Sequence, residues 1–289
     1  MARVIHSLAD WSDKEIDHLL ERAAEFVDGA RPHQVPGAVV GMCFFQTSLR
    51  TRVGFESAAH RVGAGFVEAT ERRGSADSMP ERLEDTIRVM SGYSDALIVR
   101  SSRVSAELQG AALASRPWLN AGDATEHPTQ ALIDLFAIEQ LAGPLAGVRL
   151  AIMGDLRMRA AGSLLDLLQR RPPSALAVAS APELLGKRVP SDALAVSDVS
   201  SLIAFAPDVI YQVGIPHQAV SEDVRSRLRL DRETLSTLDP ATIVLSPLPL
   251  IDEVASNARA DARIRWFEQS DLGLHVRTAI LESLLRGLG

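Results

Sequence analysis

Short apolar runs alternate with segments of helical spacing along most of this chain, and this alternation is the feature that most constrains its fold. Runs typical of buried β-strands lie at 38–45, 65–69, 96–100 and 118–121, and a second set lies at 148–153, 175–179, 209–213 and 243–245. Helix-period patterns begin at Ser12, Arg52, Glu81 and Thr129. Such alternation is typical of α/β proteins, in which helices cover a parallel sheet and loops at the strand ends carry ligand groups. The two sets predict two doubly wound parallel-sheet domains.

A loop rich in Gly and Pro separates the two sets of runs. Residues 141–147 read Leu-Ala-Gly-Pro-Leu-Ala-Gly, a pattern that ends one helix before the next strand begins. At 289 residues the chain has the length for two domains of ordinary size. We therefore predict a first domain at 1–141 and a second at 142–275.

Composition argues against several classes of function. With 46% hydrophobic and 23% charged residues, the chain is typical of a soluble globular protein, and no apolar run approaches the length of a membrane span. The net charge of −7 argues against a general nucleic-acid or membrane surface, but it allows small anionic ligands. The first residues contain no apolar signal core, which predicts a cytoplasmic location. Cys43, the single cysteine, has no partner for a disulfide or a cysteine metal site.

The segment between the first long apolar run and the next helix has the features of an anion site. Ser48, Arg50 and Thr51 fall at the predicted start of that helix. Backbone N–H groups there are unpaired and the helix dipole is positive, which favours phosphate, and Arg50 adds a planar set of donors. From these residues alone, an ordinary helix cap remains an equal alternative.

Several segments together resemble one enzyme family. Residues 44–52, Phe-Phe-Gln-Thr-Ser-Leu-Arg-Thr-Arg, resemble the phosphate loop F-x-x-x-S-T-R-T-R of the aspartate/ornithine carbamoyltransferases, with Leu49 where the family has threonine. Residues 122–135 are similar to the family signature G-D-x-x-x-H-P-T-Q-x-L-x-D-L. Further matches follow in the family's order at Arg100, 154–157, 246–253 and 277–281. The aspartate branch is the nearer one, because P-L-P-x-x-D-E at 247–253 is typical of it.

The resemblance implies transfer of a carbamoyl group from carbamoyl phosphate to an amine, with no metal and no cofactor. It assigns phosphate to Ser48, Arg50 and Thr51, and Leu49 occupies a substrate-binding position of the same loop. Donors that polarise the carbonyl oxygen commonly supply the largest part of such a rate gain. By resemblance these donors are Thr51, Arg100 and His127, and Arg100 also contacts phosphate. A histidine before proline is otherwise often only a polar surface group.

The resemblance also implies contacts to the carbamoyl amide and to the acceptor amine. By resemblance, the Gln130 side chain and the backbone carbonyls of Pro247 and Leu248 contact the carbamoyl amide. Ser75 matches a serine that the aspartate enzymes lend to the site of a neighbouring subunit. Arg159 is the match to the arginine that binds the α-carboxylate, across an apparent one-residue deletion.

Other acceptor positions depart from the family. Met79 stands where the mobile loop of the aspartate enzymes has a lysine. The arginines nearby are not equivalent to lysine in reach or geometry. Gly214 and Pro216 replace the R-x-Q pair whose arginine holds the side-chain carboxylate of aspartate. Ser246 and Leu250 replace the histidine and arginine of H-P-L-P-R. Each missing charge-assisted contact typically forfeits about 1.5 to 3 kcal/mol, so efficient use of aspartate is not expected.

We therefore predict a carbamoyltransferase-like enzyme whose acceptor is an amine or amino acid other than ordinary aspartate. The alternative is a catalytically inactive homologue that serves as a structural subunit of a pyrimidine-pathway enzyme, and plain aspartate carbamoyltransferase is the third interpretation. By resemblance we also expect a homotrimer with shared sites, and a C-terminal helix at 276–289 that packs on the first domain. Neither nucleic acid nor membrane is expected as a partner.

Overall fold

The computed structural model describes residues 3–70, 82–103 and 116–286, and it divides into two compact units. The first unit is Met1–Leu132 together with Asp271–Gly289, and the second is Ile133–Ser270. Each unit contains one parallel sheet with helices. The predicted fold class, two α/β parallel-sheet domains, is confirmed.

The first unit has a five-stranded sheet in the order β1-β5-β4-β2-β3, and every pair in it is parallel. Its strands are β1 (Val4–Ile5), β2 (Val39–Phe44), β3 (Gly65–Thr70), β4 (Ala96–Arg100) and β5 (Trp118–Asn120). Its helices are α1 (Asp13–Val27), α2 (Leu49–Arg61) and α3 (Leu83–Tyr93). Ser12 and Glu15 form a reciprocal capping box at the start of α1, which explains why the helix begins there.

The register of this sheet brings three strand ends together. Phe44, the last residue of β2, is opposite Arg100, the last residue of β4. Val99 of β4 is in turn opposite Asn120 at the end of β5. The chain runs from β2 to β3 on one side and continues with β4 and β5 on the other, so the order of strands reverses between β2 and β4. Loops at such a switch point are where doubly wound sheets bind ligands.

The second unit repeats this arrangement in the order β10-β9-β6-β7-β8, again with parallel pairs. Its strands are β6 (Arg149–Met153), β7 (Ala175–Ala179), β8 (Leu194–Val196), β9 (Val209–Gln212) and β10 (Ile243–Leu245). Its helices are α5 (Arg159–Arg170), α6 (Val199–Ala204), α7 (Glu222–Arg227) and α8 (Arg232–Thr237). The strand order reverses between β6 and β9.

Two helices pass from one unit to the other: α4 (Pro128–Ala142) and α9 (Trp266–Arg286). The division between the two units falls inside each helix. The sequence predicted the division at the loop 141–147 and a return of the chain to the first domain at residue 276. The Gly-Pro loop does end α4, but the part of this helix from Ile133 onward already packs with the second unit. A compositional break therefore identifies the end of the helix and not the division between the units.

The predicted strands are all present, and their apolar side chains form the cores of the two units. The two-residue β1 and the three-residue β8 were not predicted from the sequence. Cys43 is fully buried in β2, and burial raises the pKa of its thiol to about 12, so it packs as a small apolar residue.

A partly buried ion pair joins the first and last helices of the first unit. Arg22 of α1 donates from Nε to Oε2 of Glu282 on α9 at 2.7 Å and from Nη2 to Oε1 at 3.0 Å. The backbone N–H of His33 donates to the same carboxylate at 2.5 Å. Arg22 also lies over the ring of Phe26 at 4.4 Å. This pair fastens the C-terminal helix to the unit that carries the predicted phosphate loop.

Replacing Glu282 with Gln should destabilise the chain by about 1.5 to 3 kcal/mol at neutral pH, the usual scale for hydrogen bonds to a charged group. Burial would raise the pKa of Glu282, but Arg22 and the His33 N–H outweigh it and lower that pKa below its ordinary value. The unfolded chain therefore binds this proton more readily. The stabilisation is present above the ordinary pKa and is lost as the pH falls through the folded pKa.

Urea denaturation at pH 7 and at about pH 3 measures this effect, and the gap between wild type and variant should narrow at the lower pH. Asp223→Asn is the control, because Asp223 pairs with Arg227 on an exposed surface. This substitution should change the urea midpoint little. A gap that does not depend on pH would contradict the assignment.

Candidate active site

The first turn of α2 carries the residues predicted to bind phosphate. Ser48 is the N-cap, with φ −158° and ψ 114°, and its side chain makes no capping hydrogen bond within the described helix. The first N–H groups of a helix have no intrahelical partner and lie at the positive end of its dipole. Arg50 is exposed, and loss of hydration around its guanidinium lowers its pKa, while Thr51 is buried. The predicted helix start is confirmed, and Leu49 lies beside it with 71% of its surface exposed.

Arg100 and His127 form a buried pair at the same edge of the sheet. Nη1 of Arg100 lies 3.2 Å from Nε2 of His127 and donates to the carbonyl of Ala121 at 3.1 Å. Because an arginine N–H can only donate, Nε2 of His127 accepts, and the proton of the neutral ring is then on Nδ1. Oγ1 of Thr129 lies 3.4 Å from that Nδ1. In this arrangement Arg100 is the donor that is already charged, and His127 orients it.

Gly122 makes room for this pair, a role that sequence reasoning did not assign. Its φ is +115°, and a Cβ there would lie 2.4 Å from Nη1 of Arg100 and 3.2 Å from the ring of His127. The loop around it is held by side chains, because Gly122 N–H donates to Oδ1 of Asn120 at 2.9 Å and Asn120 donates to Asp123 at 3.1 Å. The Gly-Asp pair of the signature was the available signal.

Gln130 lies in the first turn of α4, whose first residue is Pro128. Its backbone N–H bonds to the carbonyl of His127 at 3.0 Å, so the loop and the helix start form one continuous piece. Proline at the first helical position is favourable because its fixed φ suits a helix and its missing N–H is not needed. The first unit thus brings Arg100, His127 and Gln130 onto one local framework.

In the second unit, Arg159 is the first residue of α5, and Pro247 and Leu248 follow β10. Leu248 has a positive φ of 50°, which is uncommon for a residue with a side chain, and its bond to Pro249 is cis. The N–H of Leu248 donates to Oγ of Ser246 at 3.0 Å. These positions lie at the carboxyl ends of β6 and β10, the edge of the sheet at which loops carry ligand groups.

Gly214 follows β9 in a crowded position. A Cβ at this residue would lie 3.2 Å from the carbonyl oxygen of Pro249 and 3.7 Å from Oε1 of Glu253. The next residue, Ile215, donates its N–H to that Oε1 at 2.6 Å. At the position where the resemblance implies a carboxylate-binding arginine, this chain therefore has little room for a side chain.

Two arginines near this loop are already paired with protein carboxylates. Arg225 is buried and donates to the carbonyl of Ile215 and to Asp252. Arg229 donates to Oδ2 of Asp252 at 2.9 Å and to its carbonyl at 2.7 Å. Burial raises the pKa of Asp252, but the hydrogen bond from Arg225 and the two positive charges outweigh it, so the pKa is lowered overall. These guanidiniums hold the loop together.

Two predicted positions, Ser75 and Met79, lie outside the described residues. Within 3–70, 82–103 and 116–286, no group of three or more His, Cys, Asp or Glu side chains is arranged to hold a metal ion. Across the same part of the chain, none of the helices combines the length and the apolar character that crossing a membrane requires.

Comparison with known proteins agrees with the resemblance. The family described as "Aspartate/ornithine carbamoyltransferase, carbamoyl-P binding domain" matches residues 3–140. The aspartate carbamoyltransferase catalytic subunit of Archaeoglobus fulgidus is 35% identical in an alignment of 304 positions. This alignment covers 99% of this chain and 100% of the relative. The chloroplastic aspartate carbamoyltransferase of Oryza sativa subsp. japonica is 34% identical, over 93% of this chain and 78% of the relative.

Solved structures agree in fold. Aspartate transcarbamoylase from Trypanosoma cruzi in its ligand-free form has a TM-score of 0.88 at 28% identity, over 98% of this chain and 96% of that one. The same enzyme in complex with carbamoyl phosphate and aspartate has a TM-score of 0.85 at 29% identity, over 98% and 97%. With sequence and fold matched along nearly the whole length, this chain belongs to the aspartate/ornithine carbamoyltransferase family.

Proposed function

We propose that this chain binds carbamoyl phosphate and transfers its carbamoyl group to the amino group of an amino acid. The observation that carries the proposal is the buried pair Arg100 and His127, at the same sheet edge as the start of α2. The relatives named above are aspartate carbamoyltransferases, and one solved relative holds carbamoyl phosphate and aspartate together.

In the proposed reaction an uncharged amine attacks the carbamoyl carbon, and negative charge develops on the carbonyl oxygen. Arg100 and Thr51 donate to that oxygen, with His127 beside them. The carbon–oxygen bond to phosphate then breaks, its electron pair leaves with the phosphate, and the proton lost by the amine passes to the departing phosphate. The first-turn N–H groups of α2, with Ser48 and Arg50, stabilise the phosphate.

Arg50→Ala should weaken carbamoyl phosphate binding by at least about tenfold, because a charge-assisted contact to the phosphate is lost. Isothermal titration calorimetry measures the dissociation constant. Arg52→Ala is the matched control: it removes the same charge from the same helix, but Arg52 pairs with Glu68 at 3.3 Å and with Glu56 at 3.6 Å. Equal effects of the two substitutions would show that Arg50 contributes only its net charge and makes no specific contact with the phosphate.

The identity of the acceptor is the finer part of the proposal. The names of the relatives make aspartate the first amine to test. Two features favour an amino acid without a side-chain carboxylate: a Cβ at Gly214 would lie 3.2 Å from the carbonyl oxygen of Pro249, and Leu250 stands in place of an arginine. We propose such an acceptor for this chain.

A colorimetric ureido assay across a panel of amino acids and amines tests this point. We expect a higher kcat/KM for an acceptor with an uncharged side chain than for aspartate, since the missing pairs are each worth about 1.5 to 3 kcal/mol. Aspartate as the best acceptor would contradict this and assign plain aspartate carbamoyltransferase activity. Carbamoyl phosphate binding without product from any amine would instead favour the inactive structural subunit, which Leu49, Met79 and Gly214 motivate.

We also propose that the chain is a homotrimer with shared sites. An apolar surface on the first unit supports self-association: Leu49 and Val53 lie one turn apart on α2, and Val67 lies on the edge strand β3, with exposures of 71%, 42% and 40%. Light scattering should give three times the chain mass, and Val53→Glu should lower it. A monomer in the wild type would contradict shared sites.

A further inference from the structure

A chain of buried hydrogen bonds crosses the second unit and ends at the loop after β10. The Tyr211 hydroxyl on β9 donates to Oδ2 of Asp134 on α4 at 2.5 Å. Nε2 of Gln269 on α9 donates to Oδ1 of the same aspartate at 2.6 Å. The N–H of Ser246 donates to Oε1 of Gln269 at 2.7 Å. All four residues are at most 3% exposed, so water does not compete for these bonds.

The aspartate determines which way the chain of bonds runs. A buried carboxylate can only accept, and it needs donors because its hydration has been removed. Burial and then the charge of Asp134 raise the pKa of Tyr211 well above its ordinary value, so the hydroxyl keeps its proton and donates. The amide NH₂ of Gln269 must also face Asp134. The amide oxygen is thereby directed at the N–H of Ser246.

Ser246 passes this restraint to the loop. Its Oγ accepts the N–H of Leu248 at 3.0 Å, and Leu248 has the uncommon φ of 50°. A left-handed conformation is unfavourable for a residue with a side chain, so it persists only where other contacts impose it. The hydrogen bonds that run from Asp134 through Gln269 to Ser246, and from Ser246 to Leu248, are contacts of this kind.

We propose that Gln269 is a positioning residue that acts through Ser246 to hold the backbone carbonyls of Pro247 and Leu248 in place. The inference rests on the proposed function and on the resemblance, which assigns these two carbonyls to the carbamoyl amide. It also gives Ser246 a role where the family has histidine. A short hydroxyl can accept the N–H of Leu248 within this buried space.

Inorganic phosphate and carbamoyl phosphate together test the proposal, because phosphate lacks the carbamoyl amide. Titration calorimetry gives both dissociation constants, and their ratio reports the hold on the amide alone. We expect Gln269→Leu and Ser246→Ala each to lower the preference for carbamoyl phosphate by about fivefold or more, with phosphate affinity unchanged. Ser246→Ala keeps the backbone N–H and tests the loop if Gln269→Leu does not fold.

Thr242→Val is the matched control. Thr242 lies immediately before β10, is 2% exposed, and donates its hydroxyl to the carbonyl of Pro207 at 2.8 Å. Its loss removes a buried hydroxyl bond from the other end of the same strand, so the preference should remain. Folded variants at Gln269 and Ser246 that keep the wild-type ratio would overturn the inference. A wild type that does not prefer carbamoyl phosphate over phosphate would overturn the proposed function as well.

Discussion

The parallel pairing of β2 with β4 is the constraint on which the candidate site of the first unit depends. It places Phe44 opposite Arg100, so the helix start that follows β2 and the guanidinium that ends β4 lie at one edge of the sheet. A shift of one residue would turn Arg100 to the other face, because side chains alternate along a strand. The N–H of Phe45, which donates to the carbonyl of Arg100 at 2.8 Å, extends this register to the beginning of the loop.

Burial of a positive charge at this edge also needs compensation. Arg100 is only 7% exposed, and its contacts include the carbonyl of Ala121 and the ring of His127. Acceptors of this kind offset part of the loss of hydration. Gly122 allows the guanidinium and the imidazole to approach each other. Strand register and Gly122 together therefore place this pair at the edge of the sheet.

Sequence predicted the elements better than their contacts. The long strands and helices and the start of α2 were predictable because periodicity and capping are local properties. Gly122 belongs to the signature, but its role was not predictable, because its crowding depends on where Arg100 and His127 lie. Likewise, nothing local connects Asp134 with Gln269, which lie far apart in the sequence. The site roles, the trimer and the cytoplasmic location stay predictions.

The two units use their arginines in different ways, and this difference bears on the acceptor. In the first unit Arg50 is an exposed residue in the first turn of α2, where its charge is available to a ligand. In the second unit Arg225 and Arg229 both bond to Asp252, and their charge is used to close the loop beside Gly214. A ligand carboxylate at these two guanidiniums would compete with Asp252. Because the exchange of one carboxylate for another offers little net gain, these two arginines serve chiefly to hold the loop.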